Sequence, residues 1–236
     1  MCHTVSTVAG ENGRTDHTDG ADRADARPSP RETRERSRRR IVEAAEELVR
    51  ERSFAQLTVD EVMARAGIGR TLFYRHFDDL GDLLLRAAAE ASGELFEAQV
   101  ALERARADDS DPAEGVGVAT AAAVEVFHRH GPMLLAVNDA ASSDERVAEG
   151  QRAIRRRFNE LVAEIIERVA ANRGFEVADP TESARALNLL NISYLLDAFG
   201  GEPRVSPEVA ARTLSEIWVA FLSRGAPSAP STRSAS

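Results

Sequence analysis

Hydrophobic residues recur along this chain at helical spacing, with no sustained alternation of the kind a strand would show. Ile41, Ala45, Leu48 and Val49 fall on one helix face, and Phe158, Leu161, Val162, Ile165, Ile166 and Val169 repeat at +3, +4, +7, +8 and +11. Proline disrupts helix interiors but is tolerated in a first turn. No proline lies within 31–111, 133–179, 181–202 or 208–226, which leaves room for helices in each gap. Capping residues sharpen the edges. Asp179-Pro180-Thr181-Glu182 sets an N-cap, a first-turn proline and an N3 glutamate in register, and Ser206-Pro207-Glu208 does the same. Gly200-Gly201 is a stop between them. The pattern predicts nine helices: three short ones within 34–77, then 79–104, 113–129, 132–141, 144–172, 180–199 and 207–223. The expected class is all-α, with a three-helix N-terminal domain at 31–78, a six-helix C-terminal domain at 79–224, and polar tails at 1–30 and 225–236.

Composition narrows the chemistry. The chain has 236 residues with 43% hydrophobic and 29% charged, an ordinary globular balance. All 30 basic residues are Arg, so a lysine Schiff base is excluded. The single Cys2 excludes a disulfide framework and a Cys-rich zinc site. The longest uncharged stretch is the 11 residues Ala186–Leu196, too short to span a bilayer. With no secretory pattern at the front, the expectation is a cytoplasmic protein without membrane contact. Net charge is −9, but it is uneven: −2 over 1–30, +1 over 31–80 and −8 over 81–236. Only the second segment escapes the acidic bias.

That segment holds a motif. Thr58-Val59-Asp60-Glu61 is a capping box. The helix it opens ends at Ala66-Gly67, Ile68-Gly69 makes a tight turn, and Arg70-Thr71-Leu72-Phe73-Tyr74-Arg75-His76-Phe77 begins anew. This is a helix-turn-helix arrangement. Val59, Val62, Ala66, Ile68, Phe73 and Phe77 would lock the pair, leaving Arg70, Thr71, Tyr74, Arg75 and His76 outward. Cations and hydroxyls of this kind suit a major groove, where Arg reads guanine edges and hydroxyls bond phosphates. Thr58 and the amides beside it offer a further phosphate site. From pattern alone, the same segment fits a small solvated helical corner equally well.

Residues 37–85, and above all Leu57–Phe77 with its Ala-Gly-Ile turn and Phe-Tyr-x-x-Phe ending, resemble the DNA-binding domain of the TetR family of bacterial regulators. The resemblance implies an all-α homodimer that binds a near-palindromic double-stranded operator, most often as a repressor. Three positions depart from the family pattern. Gly69 replaces the usual Ser cap, Leu72 replaces a Thr that often touches phosphate, and Leu80 replaces a phosphate-binding Lys. The run Arg34, Arg36, Arg38, Arg39 and Arg40 fits a compensating basic arm. With Glu32 and Glu35 interleaved, it also fits a charge-balanced helix start.

The segment 180–199 is apolar on nearly every side and is expected to be buried on nearly every side. With 207–223 it would form a four-helix dimer interface or, in a monomer, two core helices. Asn188 and Asn191 sit within it one turn apart. Buried amides need partners, either neighbouring backbone or a bound molecule. Residues 186–191, 199–203 and 217–219 resemble the ethionamide-resistance regulator (EthR) subgroup of the family. That resemblance implies an apolar tunnel for a small hydrophobic ligand, with Asn188, Asn191 and Trp218 lining it. Position and apolarity add Phe127, Met133, Val137 and Phe158, with Asn138 as a further polar candidate. The charged run Arg152, Arg155, Arg156 and Arg157 with Glu149, Glu160, Glu164 and Glu167 reads as a solvated face.

No catalytic signature is present. His128 and His130 are two apart and do not share a helix face, and no phosphate loop, dinucleotide fingerprint, nucleophile elbow or H-E-x-x-H occurs. Neither enzyme activity nor a metal or cofactor is expected. The alternative to a ligand-responsive DNA-binding regulator is a protein–protein interaction module on the same fold.

Overall fold

The structure, a computed structural model, describes residues 29–105 and 112–223. The expectations for the two tails fall almost wholly outside these residues, together with Cys2. Among the described residues the chain is all-helical. Contacts divide it into units Met1–Arg36 and Ser37–Ser236. In the first, the described part opens helix α1 (Pro30–Glu51). There the Ser29 amide donates to Glu32 Oε2 at 2.7 Å and the Glu32 amide donates to Ser29 Oγ at 3.2 Å, a capping box at the helix start. The second unit holds the rest of α1, followed by α2 (Val59–Ala66), α3 (Leu80–Ala105), α4 (Pro112–Ala140), α5 (Glu145–Arg173), α6 (Pro180–Phe199) and α7 (Pro207–Leu222).

The caps act as their chemistry requires. Asp179 Oδ1 accepts from the Glu182 amide at 2.8 Å, and Ser206 Oγ accepts from the Val209 amide at 3.4 Å. Asp144 opens α5 by accepting from the Arg146 and Val147 amides. Gly67 and Gly174 close α2 and α5 in the left-handed region, at φ 64° and 69°. Gly200 ends α6 differently, at φ −70°. A β-carbon there would lie 2.5 Å from the Leu196 carbonyl oxygen, so glycine is needed for close approach and not for a left-handed turn.

Four expectations change. The first helix, expected to be short and to lie within 34–77, is the 22-residue Pro30–Glu51. The segments 113–129 and 132–141 are one helix, α4, which runs through Pro132. Proline removes one backbone donor, and packing outweighs that loss. Met133, Ala136 and Val137 join the apolar core around α1, α2 and α3, while Gly131 lies against the Phe199 carbonyl. The C-terminal domain therefore has five helices among the described residues, not six. The third element of the N-terminal domain is a 3-10 helix, Arg70–Arg75, not an α-helix. Finally, α6 is not buried on every side, for Ala186, Leu189, Leu190 and Ser193 are exposed.

Helix α3 joins the parts of this unit. Its first turns place Leu83 and Leu84, both fully buried, in one core with Ile41, Val62, Phe73 and Phe77. Farther along, α3 packs against α4 and α5. Two polar links fix α1 to α4: His130 Nδ1 lies 2.7 Å from Glu46 Oε1, and Arg50 donates to the Arg129 carbonyl at 3.1 Å.

Candidate nucleic-acid interface and interior cavity

The capping box at the start of α2 is complete. Thr58 Oγ1 accepts from the Glu61 amide at 3.3 Å, and the Thr58 amide and hydroxyl both donate to Glu61 Oε2 at 2.9 and 2.7 Å. These bonds, helped by Arg52 at 2.8 Å, hold the Glu61 carboxyl below its usual range. The Thr58 hydroxyl proton is thus engaged within the cap. Behind α2, Arg65 bridges to Glu47 and Glu51 on α1, and Arg40 donates to the Ala66 carbonyl.

His76 follows the 3-10 helix directly, and its amide donates to the carbonyl of fully buried Phe73 at 2.8 Å. His76 is 8% exposed and its Nε2 lies 2.9 Å from Ser37 Oγ. The expectation that His76 faces DNA is corrected: it packs the domain. Arg70, Thr71, Tyr74 and Arg75 are exposed, with Tyr74 at 52%. Arg70 is held in place by Asp60 at 2.8 Å and by the Tyr74 hydroxyl at 3.2 Å, and its guanidinium stands over the Tyr74 ring. Gly69 precedes this element without a side-chain cap. In the arginine run of α1, Arg38 pairs with Glu90 and Arg40 with the Ala66 carbonyl, so these two brace the N-terminal domain.

Helices α3 to α7 enclose a cavity of about 920 Å³. Phe127, Val137, Phe158, Asn188, Asn191 and Trp218 line it. Met133 and Asn138 do not. Met133 is 1% exposed in the core shared with α1 to α3, and Asn138 lines a neighbouring hollow. Asn188 and Asn191 already have partners. Trp218 Nε1 donates to Asn191 Oδ1 at 3.2 Å, and Asn188 Nδ2 donates to Asn159 Oδ1 at 2.8 Å. Among the lining residues that escaped the sequence reading are Gln151 and Arg155. Arg155 stands three positions before Phe158 on the same stripe, so extending the apolar period toward the N-terminus would have found it. Of the supposed solvated face, Arg152 and Arg156 do pair with Glu149, while Arg157 lies over the Phe96 ring at 3.7 Å.

Among the described residues, no group of three or more His, Cys, Asp or Glu side chains could hold a metal ion. No described helix is long and apolar enough to cross a membrane.

An exposed Arg–Tyr face thus follows a capped helix and a tight turn, and the helices after it line a cavity. Residues 41–87 match the profile of bacterial regulatory proteins, tetR family. Solved structures share the fold across most of the chain. A transcriptional regulator from Rhodococcus sp. Rha1 is 20% identical, with 82% of this chain and 100% of that one covered at a TM-score of 0.64. The TetR family transcriptional regulator PfmR from Thermus thermophilus is 20% identical over 75% and 96%, TM-score 0.62. AibR, solved in complex with isovaleryl coenzyme A and operator DNA, is 17% identical over 77% and 97%, TM-score 0.57. The profile match covers the N-terminal domain alone, and the solved structures share the fold of the longer chain.

Proposed function

We propose that this protein is a ligand-responsive transcriptional repressor. In this reading it binds a palindromic operator as a homodimer and leaves it when a small hydrophobic effector fills the cavity. The observation that carries the reading is the double role of α3. Its first turns pack under the Arg70–Arg75 segment through Phe73 and Phe77, and its middle, at Ala88, Ala91, Ser92 and Leu95, walls the cavity. Val137 of α4 belongs to both the core and the cavity wall. A ligand that displaces these walls therefore acts on the element that aims the DNA-reading face.

Arg70, Thr71, Tyr74 and Arg75 are the proposed DNA contacts, with amides at the start of α2 beside Thr58 as a phosphate site. The apolar side chains Leu189 and Leu190 on α6 and Val209 and Ile217 on α7, all exposed, are the proposed dimer face. A two-fold pairing there sets two reading elements apart. Ligand binding favours a spacing that no longer matches adjacent major grooves, about 34–36 Å apart. The aromatic and amide wall fits the tunnel implied by the likeness to the ethionamide-resistance regulator subgroup. AibR, with the same fold, holds a coenzyme A thioester and operator DNA in one structure, which supports the pairing of the two sites.

The test is a titration of operator-bound protein with apolar ligands, read by fluorescence anisotropy of labelled operator. Release that saturates with ligand is expected. A ligand that binds stoichiometrically and leaves operator affinity unchanged would refute the coupling.

A further inference from the structure

We propose that the cavity is built for an amphipathic anion, a carboxylate on an apolar body, whose headgroup docks on Arg155. The inference rests on the effector reading above and assigns the chemistry of that ligand.

The charge of the lining carries it. The chain has 39 acidic residues against 30 basic ones. The described cavity wall nevertheless holds Arg155, Arg168 and Arg173 and not one Asp or Glu. Arg168 and Arg173 have partners of their own. Arg155 differs, because its Nε is buried without a hydrogen-bond partner. Its described hydrogen bond runs from a terminal nitrogen to neutral Asn138 Oδ1, at 3.3 Å. The hollow on the other side of Arg155 does contain Asp197 and Glu202, but Asp197 lies 2.9 Å from Arg204.

A buried guanidinium N–H without an acceptor loses its hydration and gains nothing in return. A carboxylate removes that cost, because its two oxygens match the planar fork of N–H groups. Gln151, 3.5 Å from Asn138 through its Nε2, also lines the cavity and adds an amide donor nearby. Two other polar pairs in the wall are committed, Trp218 to Asn191 and Asn188 to Asn159. Most of the wall, including Phe127, Phe158, Val162 and Leu195, is apolar and suits a hydrocarbon body. A neutral ligand would leave the Arg155 donor unmet, and a cation would meet like charge.

The experiment uses the purified full-length chain and the neutral dye Nile red as a cavity reporter, displaced by decanoate, decanol or decylamine. Decanoate is expected to displace the dye at concentrations roughly tenfold or more below decanol, with decylamine the weakest. Arg155→Gln, which keeps an amide beside Asn138, should erase the decanoate advantage and leave decanol displacement unchanged. Arg155→Lys should retain part of it. Equal displacement by decanoate and decanol in the wild-type protein would overturn the anionic assignment while leaving the cavity reading intact, and this comparison needs no variant to fold. Retention of the decanoate advantage in Arg155→Gln would overturn the role of Arg155. Failure of Nile red to bind would defeat both the cavity reading and this proposal.

Discussion

Single side chains divide into those that hold the N-terminal domain and those left for a partner. Arg70 and Tyr74 are exposed yet ordered, because Asp60 and the Tyr74 hydroxyl fix the guanidinium. A pre-set fork loses less freedom on meeting a guanine edge. Arg70→Ala and Tyr74→Ala are each expected to weaken operator binding by about 10- to 100-fold in a gel shift, with unchanged circular dichroism. Asp60→Ala should relax sequence preference more than total affinity, measured on operators mutated at single positions. Gly131 serves packing instead. A β-carbon there would stand 2.1 Å from the Phe199 carbonyl oxygen, so Gly131→Ala must push α4 from the end of α6. We expect a loss of about 1–3 kcal/mol in denaturant unfolding. At this scale the sequence is legible where spacing alone decides, as for Phe73 and Phe77, whereas spacing leaves Asn188 and Asn191 open and only the likeness to the ethionamide-resistance regulator subgroup points them to the cavity wall. His76 reads as outward from its polarity alone, yet it stands three positions after buried Phe73, on the inward face of either helix type. Arg155 reads as surface because it stands in a charged run, and charge spacing along one helix does not reveal which members a neighbouring helix covers.

Among the elements, helix starts were the most legible features, since Thr58, Asp179 and Ser206 each satisfy an amide three residues on. Helix α4 was not, because proline marks a break only where packing on both sides is weak. The 3-10 element follows Gly69, which offers no side-chain acceptor, and open space surrounds the position where a side chain would stand. Gly69→Ser should therefore add a cap and raise stability by a few tenths of a kcal/mol in thermal unfolding. The start of α3 carries a pH-sensitive cap. Asp79 Oδ1 accepts from the Asp82 amide at 2.9 Å and Oδ2 accepts from Arg146 at 2.7 Å. The amide first, and then the arginine, hold this carboxyl below its ordinary 3.8. The unfolded chain thus takes up the proton more readily than the folded one. The stabilisation is complete above 3.8 and is lost as pH falls through the lowered native value. Asp79→Asn should accordingly be less stable than wild type near neutrality, and the gap should close in strong acid, as followed by urea midpoints across pH.

For the molecule as a whole, the exposed apolar face of α6 and α7 is the feature a single chain leaves unexplained. Leu190 at 39% and Ile217 at 37% remain in solvent on helices that are otherwise packed. The apolar period foretold helices but could not separate burial within the chain from burial between two chains, because both need the same residues. Leu190→Asp combined with Ile217→Asp should convert a dimer to a monomer of about half the mass by light scattering and abolish cooperative operator binding. An unchanged mass would overturn the proposed pairing through this face. The central claim is narrower: the exposed Arg70–Arg75 face reads a DNA sequence. It is tested most directly by selecting bound duplexes from a random pool with the full-length protein and repeating the selection with Tyr74→Ala. The wild-type protein is expected to enrich an inverted repeat with half-sites about one helical turn apart, and the variant to enrich nothing. Recovery of the same repeat by the variant, or of no motif by the wild-type protein, would contradict the claim.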